Sequence, residues 1–131
     1  MSFALTIPKK RLGQVFLKDQ HIIEKIIQSC ELTGEDSVLE IGPGQGVLTI
    51  PLAASVKELF AVEKDKRFCE ELEDKLKGGN ARIIHADFLK YNLSDLPENL
   101  KVIGNLPYYI SSPLLTQLIE ERRRIRSIFI T

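Results

Sequence analysis

Short apolar runs alternate with amphipathic stretches along most of the 131-residue chain, and this alternation restricts the fold more than any other feature. Five runs have the length and composition of buried strands, namely 37–41, 57–63, 81–87, 101–105 and 127–131. Strands separated by helices of about 10 to 15 residues form βαβ units and a parallel sheet. The sequence therefore predicts an α/β fold. The continuous apolar character of SVLEI and RSIFIT agrees, since parallel strands are buried on both faces.

The predicted helices start at residues that can accept hydrogen bonds from the first free backbone amides. Asp19 precedes a stretch whose isoleucines recur with helical period, and Asp65 precedes a second such stretch. A third helix is predicted over residues 47–55. Ser112 is the expected cap of a fourth, with Pro113 at the first helical position, where its missing amide hydrogen costs nothing.

The formal net charge is zero, so overall charge indicates no particular partner. Basic residues are nevertheless concentrated in two places, the first 18 residues and the segment 122–126. Each concentration is either a solvated surface or a contact for a polyanion.

The two cysteines, Cys30 and Cys69, match neither a metal motif nor a disulfide framework, and reduced thiols favour the cytoplasm. His21 and His85 have no ligand spacing, so no metal is expected. No apolar run approaches the ~18 residues that a membrane span needs, so no membrane partner is expected either.

A glycine-rich turn, EIGPGQG, follows the first predicted strand and opens a helix. Glycines let a backbone approach a ligand closely, and ligands of open α/β sheets bind beyond the carboxyl ends of the strands. Gly42, Gly44 and Gly46 read G-x-G-x-G, whereas the dinucleotide fingerprint is G-x-G-x-x-G. The spacing argues against a pyrophosphate at the helix terminus, and a simple tight turn stays an alternative.

Acidic residues close the next two predicted strands, with Glu63 ending KELFAVE and Asp87 ending ARIIHAD. A carboxylate there can accept both hydroxyl hydrogens of a ribose, and a second can accept from an adenine amino group. A solvated strand-end residue is the ordinary alternative for either acid alone. Two acids beside a glycine turn favour an adenosine-bearing ligand that needs no phosphate site.

The stretch KVIGNLPYYISSP ends a buried strand in a segment that cannot continue as a helix, because proline pushes the preceding residue into an extended conformation. It presents Asn105, Tyr108 and Tyr109 near a loop at the strand end. An amide and one or two flat aromatic faces suit recognition of a planar ring, although a turn and plain packing would also explain them.

These motifs, with RLGQVFL and HADFLKY, resemble the ribosomal RNA adenine-N6 dimethyltransferases from about Lys9 to Thr131. The resemblance implies a Rossmann-like class I methyltransferase sheet, S-adenosylmethionine as cofactor, and dimethylation of adenine N6 in small-subunit ribosomal RNA. It also implies a monomer in the cytoplasm whose partner is the small ribosomal subunit. Residues 1–131 would form one methyltransferase domain, truncated after about the fifth strand, since the family continues into more sheet and a helical domain. Whether this piece alone is active is left open.

The resemblance assigns roles at the last strand end. The Asn105 side-chain oxygen and the Leu106 carbonyl accept the two hydrogens of the target amino group. Pro107 fixes the direction of that carbonyl, and Tyr108 stacks on a flipped-out base. The residues that the resemblance places on the cofactor are Gln14, Val15, Leu17, Gly42, Gly44, Glu63, Asp87, Phe88 and Asn105, with Val15 acting through its backbone.

Other functions stay open at this point. One is a large-subunit methylase of the macrolide-resistance type, and another is a non-catalytic RNA-binding assembly or transcription factor of the same fold. DNA or protein amino-group methylases use a similar Asn-Pro-Pro-Tyr loop, but the GQVFL segment argues against them. A dinucleotide oxidoreductase is disfavoured by the glycine spacing.

Overall fold

The computed structural model describes the backbone of residues 4–6 and residues 19–104 and 112–130 in full. The strands are β1 (Ala4–Thr6), β2 (Ser37–Ile41), β3 (Glu58–Glu63), β4 (Ala81–His85), β5 (Leu100–Gly104) and β6 (Ile125–Ile130). The helices are α1 (Gln20–Ser29), α2 (Thr49–Ser55), α3 (Lys66–Lys75) and α4 (Ser112–Glu120), with 3-10 turns at Phe88–Lys90 and Leu93–Asp95.

All six strands form one parallel sheet in the order β1-β6-β5-β2-β3-β4. The chain moves outward from β2 through β3 to β4, and then returns to the other side of β2 as β5 and β6. This reversal creates a switch point between β2 and β5, where ligands of doubly wound sheets bind. The predicted α/β class and the five predicted strands are confirmed. β1 was not predicted, because a three-residue strand is too short to show a period.

Apolar side chains cover both faces of the sheet. On one face, α1 and α2 pack against β2 and β3 through Ile23, Leu52 and Leu59. On the other face, α4 and the 3-10 turns cover β5 and β6, with Leu118 and Leu93 fully buried among strand residues. The strands β2 to β6 therefore each contribute side chains to both cores, as expected for a parallel sheet. No helix in the described ranges is long and apolar enough to span a bilayer.

The predicted helix starts agree with the structure at two positions and differ at two. Asp19 accepts from the His21 amide at 2.9 Å, and Asp65 accepts from the Arg67 amide at 2.9 Å. α2 starts at Thr49 rather than at residue 47, because the glycine turn extends through the two residues before it. α4 already includes Ser112 as its first residue, so this serine does not cap the helix from outside.

A buried ion pair joins the amino ends of β2 and β5. Lys101 Nζ lies 2.9 Å from Asp36 Oδ2 and also donates to the Glu31 carbonyl at 2.7 Å. The Thr33 amide donates to the same Asp36 oxygen at 2.7 Å. Burial raises the pKa of Asp36, but the bonds from Lys101 and Thr33 outweigh it and hold that pKa below its usual value. These bonds tie the loop before β2 to β5 at the amino edge of the sheet.

Candidate cofactor and catalytic site

Functional residues predicted from four motifs follow four adjacent strands at the carboxyl edge of the sheet. Gly42 follows β2, Glu63 ends β3, Asp87 comes just after β4, and Gly104 ends β5 beside the segment 105–111. Neighbouring strands lie about 4.8 Å apart, so the row from β5 to β4 is roughly 14 Å long. That length suits an extended ligand with a nucleoside at one end and a small polar group at the other.

The glycine turn depends on positive φ angles, which only glycine adopts without strain. Gly42, Gly44 and Gly46 have φ values of 68°, 57° and 89°. The Gly42 amide donates to the Val62 carbonyl at 2.9 Å, which holds the turn against β3. Around Gly42 and Gly44 the space where a Cβ would stand is open to 4 Å, so a ligand can approach the backbone there.

Glu63 is buried at the end of β3, and both of its carboxylate oxygens are engaged. Oε1 accepts from the Gly44 amide at 3.0 Å, and Oε2 accepts from the Asp65 amide at 2.7 Å. Each carboxylate oxygen has two acceptor sites, so the described residues leave one site on each that can accept from a ligand hydroxyl. Glu63 therefore supports the glycine turn, and its two carboxylate oxygens are held in position to accept further hydrogen bonds.

Asp87 and Phe88 form the outer end of the row. Asp87 is half-buried and accepts from the Leu89 amide at 3.0 Å through one oxygen. Its other oxygen has no hydrogen-bond partner among the described residues and can accept from an amino group. The Phe88 side chain is only 6% exposed and belongs to the core, while its carbonyl accepts from Gln117 Nε2 at 2.8 Å. Phe88 thus supports this end of the row and ties it to α4.

Glu40 is a buried acid beneath the glycine turn that the sequence reasoning did not single out. It is 1% exposed, and its Oε1 accepts from the hydroxyl of the fully buried Thr49 at 2.6 Å. Burial raises the pKa of Glu40 to about 8 against the lowering effect of the Thr49 bond, and the negative charge of Glu63 adds to the rise. The sequence signal that could have identified Glu40 is the presence of an acid inside an otherwise apolar strand, just before the glycine turn.

Part of the predicted site lies outside the residues that the structure describes. These positions are Gln14, Val15, Leu17, Asn105, Leu106, Pro107 and Tyr108. Described residues lie on both sides of positions 105–108 along the chain. Gly104 is paired with Ile41, so β5 ends beside the start of the glycine turn, and α4 begins at Ser112.

The structure does not bring the second basic segment to this edge. Residues 122–124 lie between α4 and β6, and residues 125 and 126 are the first two of β6. Because β6 is parallel to β5, its beginning lies at the amino edge of the sheet, opposite the row of site residues. Any contact that these arginines make is therefore separate from the candidate cofactor site.

The strand order, the switch point and the glycine turn are those of a Rossmann-like methyltransferase fold. Two solved structures align with a TM-score of 0.72 each. One is the 23S rRNA methyltransferase ErmE, at 35% identity over 84% of this chain and 44% of that chain. The other is a dimethyladenosine transferase from Plasmodium falciparum, at 31% identity over 85% of this chain and 42% of that chain. Coclaurine N-methyltransferase, solved with bound SAH, shares the fold at 18% identity and a TM-score of 0.66.

The model of the ribosomal RNA adenine dimethylase family matches residues 7–131, and the chain belongs to that family. A curated relative named ribosomal RNA small subunit methyltransferase A, from Clostridium botulinum strain Okra, is 41% identical over 92% of this chain and 46% of its own length. The protein of the same name from Natranaerobius thermophilus is 43% identical over 88% of this chain and 45% of its own length. The chain thus spans a little under half the length of the curated relatives that it matches.

Proposed function

We propose that residues 1–131 form an incomplete methyltransferase domain of an enzyme that dimethylates adenine N6 in small-subunit ribosomal RNA, using S-adenosylmethionine. The observation that carries the proposal is the row of Gly42, Glu63 and Asp87 along the carboxyl edge of this sheet, which runs outward from the switch point. The names of the curated relatives and the dimethyladenosine transferase neighbour support the same activity.

The described residues fit the cofactor. S-adenosylmethionine supplies a methyl group on a sulfonium sulfur. Glu63 holds the two ribose hydroxyls with its free acceptor sites, while Gly42 and Gly44 leave room for the methionine part against the turn. Asp87 accepts from the adenine amino group, with Phe88 behind it. No residue in this set needs to move a proton, because each one only binds and orients.

The catalytic part of the proposal uses the segment after β5. A purine amino nitrogen is a poor nucleophile, since its lone pair is delocalised into the ring. Asn105 and the Leu106 carbonyl would accept hydrogen bonds from its two N–H groups and so orient its lone pair, while Tyr108 would stack on the base. Pro107 orients the carbonyl. The pairing of Gly104 with Ile41 supports this, because the segment leaves the sheet beside the glycine turn.

The last part concerns the three residues that the family resemblance places over the cofactor, namely Gln14, Val15 and Leu17. β1 ends at the carboxyl edge, since Thr6 is paired with Phe129 near the end of β6. α1 begins beside the glycine turn, since Gln20 and Gly46 line one cleft. The segment 7–18 therefore has its two ends on either side of the switch point, which supports the assignment.

The proposed partner is ribosomal RNA in the small subunit, and the proposed setting is a cytoplasmic monomer. A second candidate is methylation of large-subunit RNA, which the similarity to ErmE favours. The two candidates share the site and differ in the RNA that is bound.

The test compares methyl transfer from radiolabelled S-adenosylmethionine to unmethylated small subunits and to protein-free large-subunit RNA. Transfer to small subunits is expected, and transfer to large-subunit RNA alone would establish the second candidate instead. Asn105→Ala is expected to abolish transfer while calorimetric affinity for the cofactor changes by only a few-fold. Asn99→Gly is the matched control, since Asn99 lies exposed just before β5, at the opposite end of the same strand, with a φ of 63° that glycine accepts. Unchanged turnover in Asn105→Ala would overturn the assignment.

A further inference from the structure

Four arginines, Arg122, Arg123, Arg124 and Arg126, form a cluster that we term the arginine patch. Three of them are exposed and Arg124 is half-buried. Arg122 Nη1 donates to the Ile119 carbonyl at 3.0 Å, which orients one guanidinium along the end of α4. The ion pairs of the described residues are Lys66–Glu70, Arg67–Asp65 and Lys101–Asp36. None of them uses the patch, although Glu120 and Glu121 directly precede it.

The positive charge of the patch is local and enters none of the described ion pairs, although Arg126 lies near enough to Asp36 to help lower the pKa of that acid. The whole chain has a formal net charge of zero, whereas residues 122–126 carry four positive charges and no negative one. Like charges held this close repel one another unless counter-ions or a polyanion gather around them. The guanidinium group is planar and offers paired donors that match two phosphate oxygens. Phosphates are thus the partner that this chemistry fits best.

The position of the patch separates it from the methyl-transfer site. In the β5–β6 ladder, Ile125 is paired with Leu100, while Ile130 is paired with Gly104. Counted along β5, from Leu100 to Gly104, the beginning of β6 therefore lies four residues from the carboxyl edge, which is roughly 13 Å at ~3.3 Å per residue. Arg122 and Arg123 lie further away still, beyond the amino edge. A short single strand bound at the switch point does not reach them.

We infer that the arginine patch binds backbone phosphates of the substrate RNA at the amino edge, as an anchoring surface separate from the site of methyl transfer. The inference rests on the proposed function for the identity of the RNA. The anchoring surface predicts that the preferred substrate is a folded or long RNA that reaches both edges of the sheet. Phosphate contacts position an RNA without reading its sequence, so the patch contributes affinity and leaves the choice of base to the switch point.

The test removes three exposed charges with Arg122→Gln, Arg123→Gln and Arg126→Gln in one protein. The matched control is Lys25→Gln, Lys66→Gln and Lys77→Gln, which removes three exposed charges from other faces. Binding of unmethylated small-subunit ribosomal RNA and of a short adenine-containing single strand is measured across a salt series. Each lost phosphate contact lowers the salt slope by ~0.7 to 0.9, so the patch variant is expected to lose roughly 2 to 3 in slope for the long RNA.

Three results support the inference together: the slope falls for the patch variant with the long RNA, changes little for the control, and changes little for either protein with the short strand. Equal losses in patch and control variants would overturn it, as would an equal loss with the short strand. An Arg→Lys version of the patch, which keeps the charge, is expected to retain most of the slope.

Failure of the inference is distinguishable from failure of the proposed function. If the complete enzyme that contains residues 1–131 transfers no methyl group to any RNA, the proposed function fails whatever the salt slopes show. If transfer occurs and the patch variant has the same KM for the long RNA as the wild type, only the anchoring surface fails. The expected result is a raised KM for the long RNA with kcat unchanged, because the patch contacts neither the base nor the cofactor.

Discussion

Replacing Glu40 with glutamine is expected to make the protein more stable, and the gain is expected to grow with pH. Glu40 is buried between β2 and α2, where its only described hydrogen bond comes from the Thr49 hydroxyl. A charged carboxylate in that position has lost its hydration without gaining a cation. Glutamine has the same shape and offers an oxygen to the Thr49 hydroxyl, so the hydrogen bond is kept. It carries no charge, so the cost of burying a carboxylate charge is removed.

The size of the effect follows from the pKa of Glu40, which burial raises from 4.5 to about 8. Between these two values the folded state holds a proton that the unfolded state has released. The unfolded state therefore binds fewer protons, and stability falls as pH rises, by about 1.4 kcal/mol per pH unit. Near pH 7.5, about three units above the ordinary value, the accumulated cost is roughly 4 kcal/mol. The glutamine variant escapes this cost and is expected to be the more stable protein by several kcal/mol there.

The measurement is urea unfolding followed by circular dichroism at several values between about pH 5 and pH 8. With an m-value of ~2 kcal/mol per molar urea, the variant is expected to unfold at a midpoint about 2 M higher near pH 7.5 and at a similar midpoint near pH 5. Thr49→Val is the control, because it removes the hydroxyl but leaves the acid and its pH dependence. Parallel stability curves for wild type and Glu40→Gln across this range would refute the reasoning.

Two further substitutions test the packing around the site and at the opposite edge. Asp36→Ala is expected to cost about 3 to 5 kcal/mol, because it leaves the buried Lys101 ammonium without its carboxylate. Urea unfolding measures this cost, and adding Lys101→Met is expected to recover most of it; a loss below about 1 kcal/mol would contradict the role of the pair. Gly46→Ala is expected to lower thermal stability more than Gly44→Ala. The new Cβ at position 46 would stand 2.6 Å from Leu72 Cδ2, whereas the space around Gly44 is open. Equal losses of thermal stability in the two variants would show that the clash at position 46 is relieved at no cost.

Much of the fold could be predicted from sequence because its signals are local. Apolar runs identified five strands, and acceptor side chains at Asp19 and Asp65 located two helix starts to the residue. The strand Ala4–Thr6 was not predicted, because it depends on pairing with β6 at the other end of the chain. The start of α2 was placed too early, since Val47 and Leu48 look helical but belong to the turn that three positive φ angles create.

The candidate site was predictable to the extent that it follows from parallel topology. Gly42, Glu63 and Asp87 each end or follow a strand, so a parallel sheet places them on one edge whatever the details. The same rule could have placed the arginines at the other edge, since they precede a strand. The bond between Glu40 and Thr49 could not be anticipated, because neither residue has a spacing that distinguishes a buried pair from separate polar positions.

The hydrogen bond from Gln117 to the Phe88 carbonyl connects the two halves of the candidate site. Phe88 stands directly behind Asp87, and Gln117 belongs to the helix that follows the segment carrying Asn105. A displacement of the Phe88–Lys90 turn is therefore transmitted to this helix through a single side-chain amide, which fixes the spacing between the two elements.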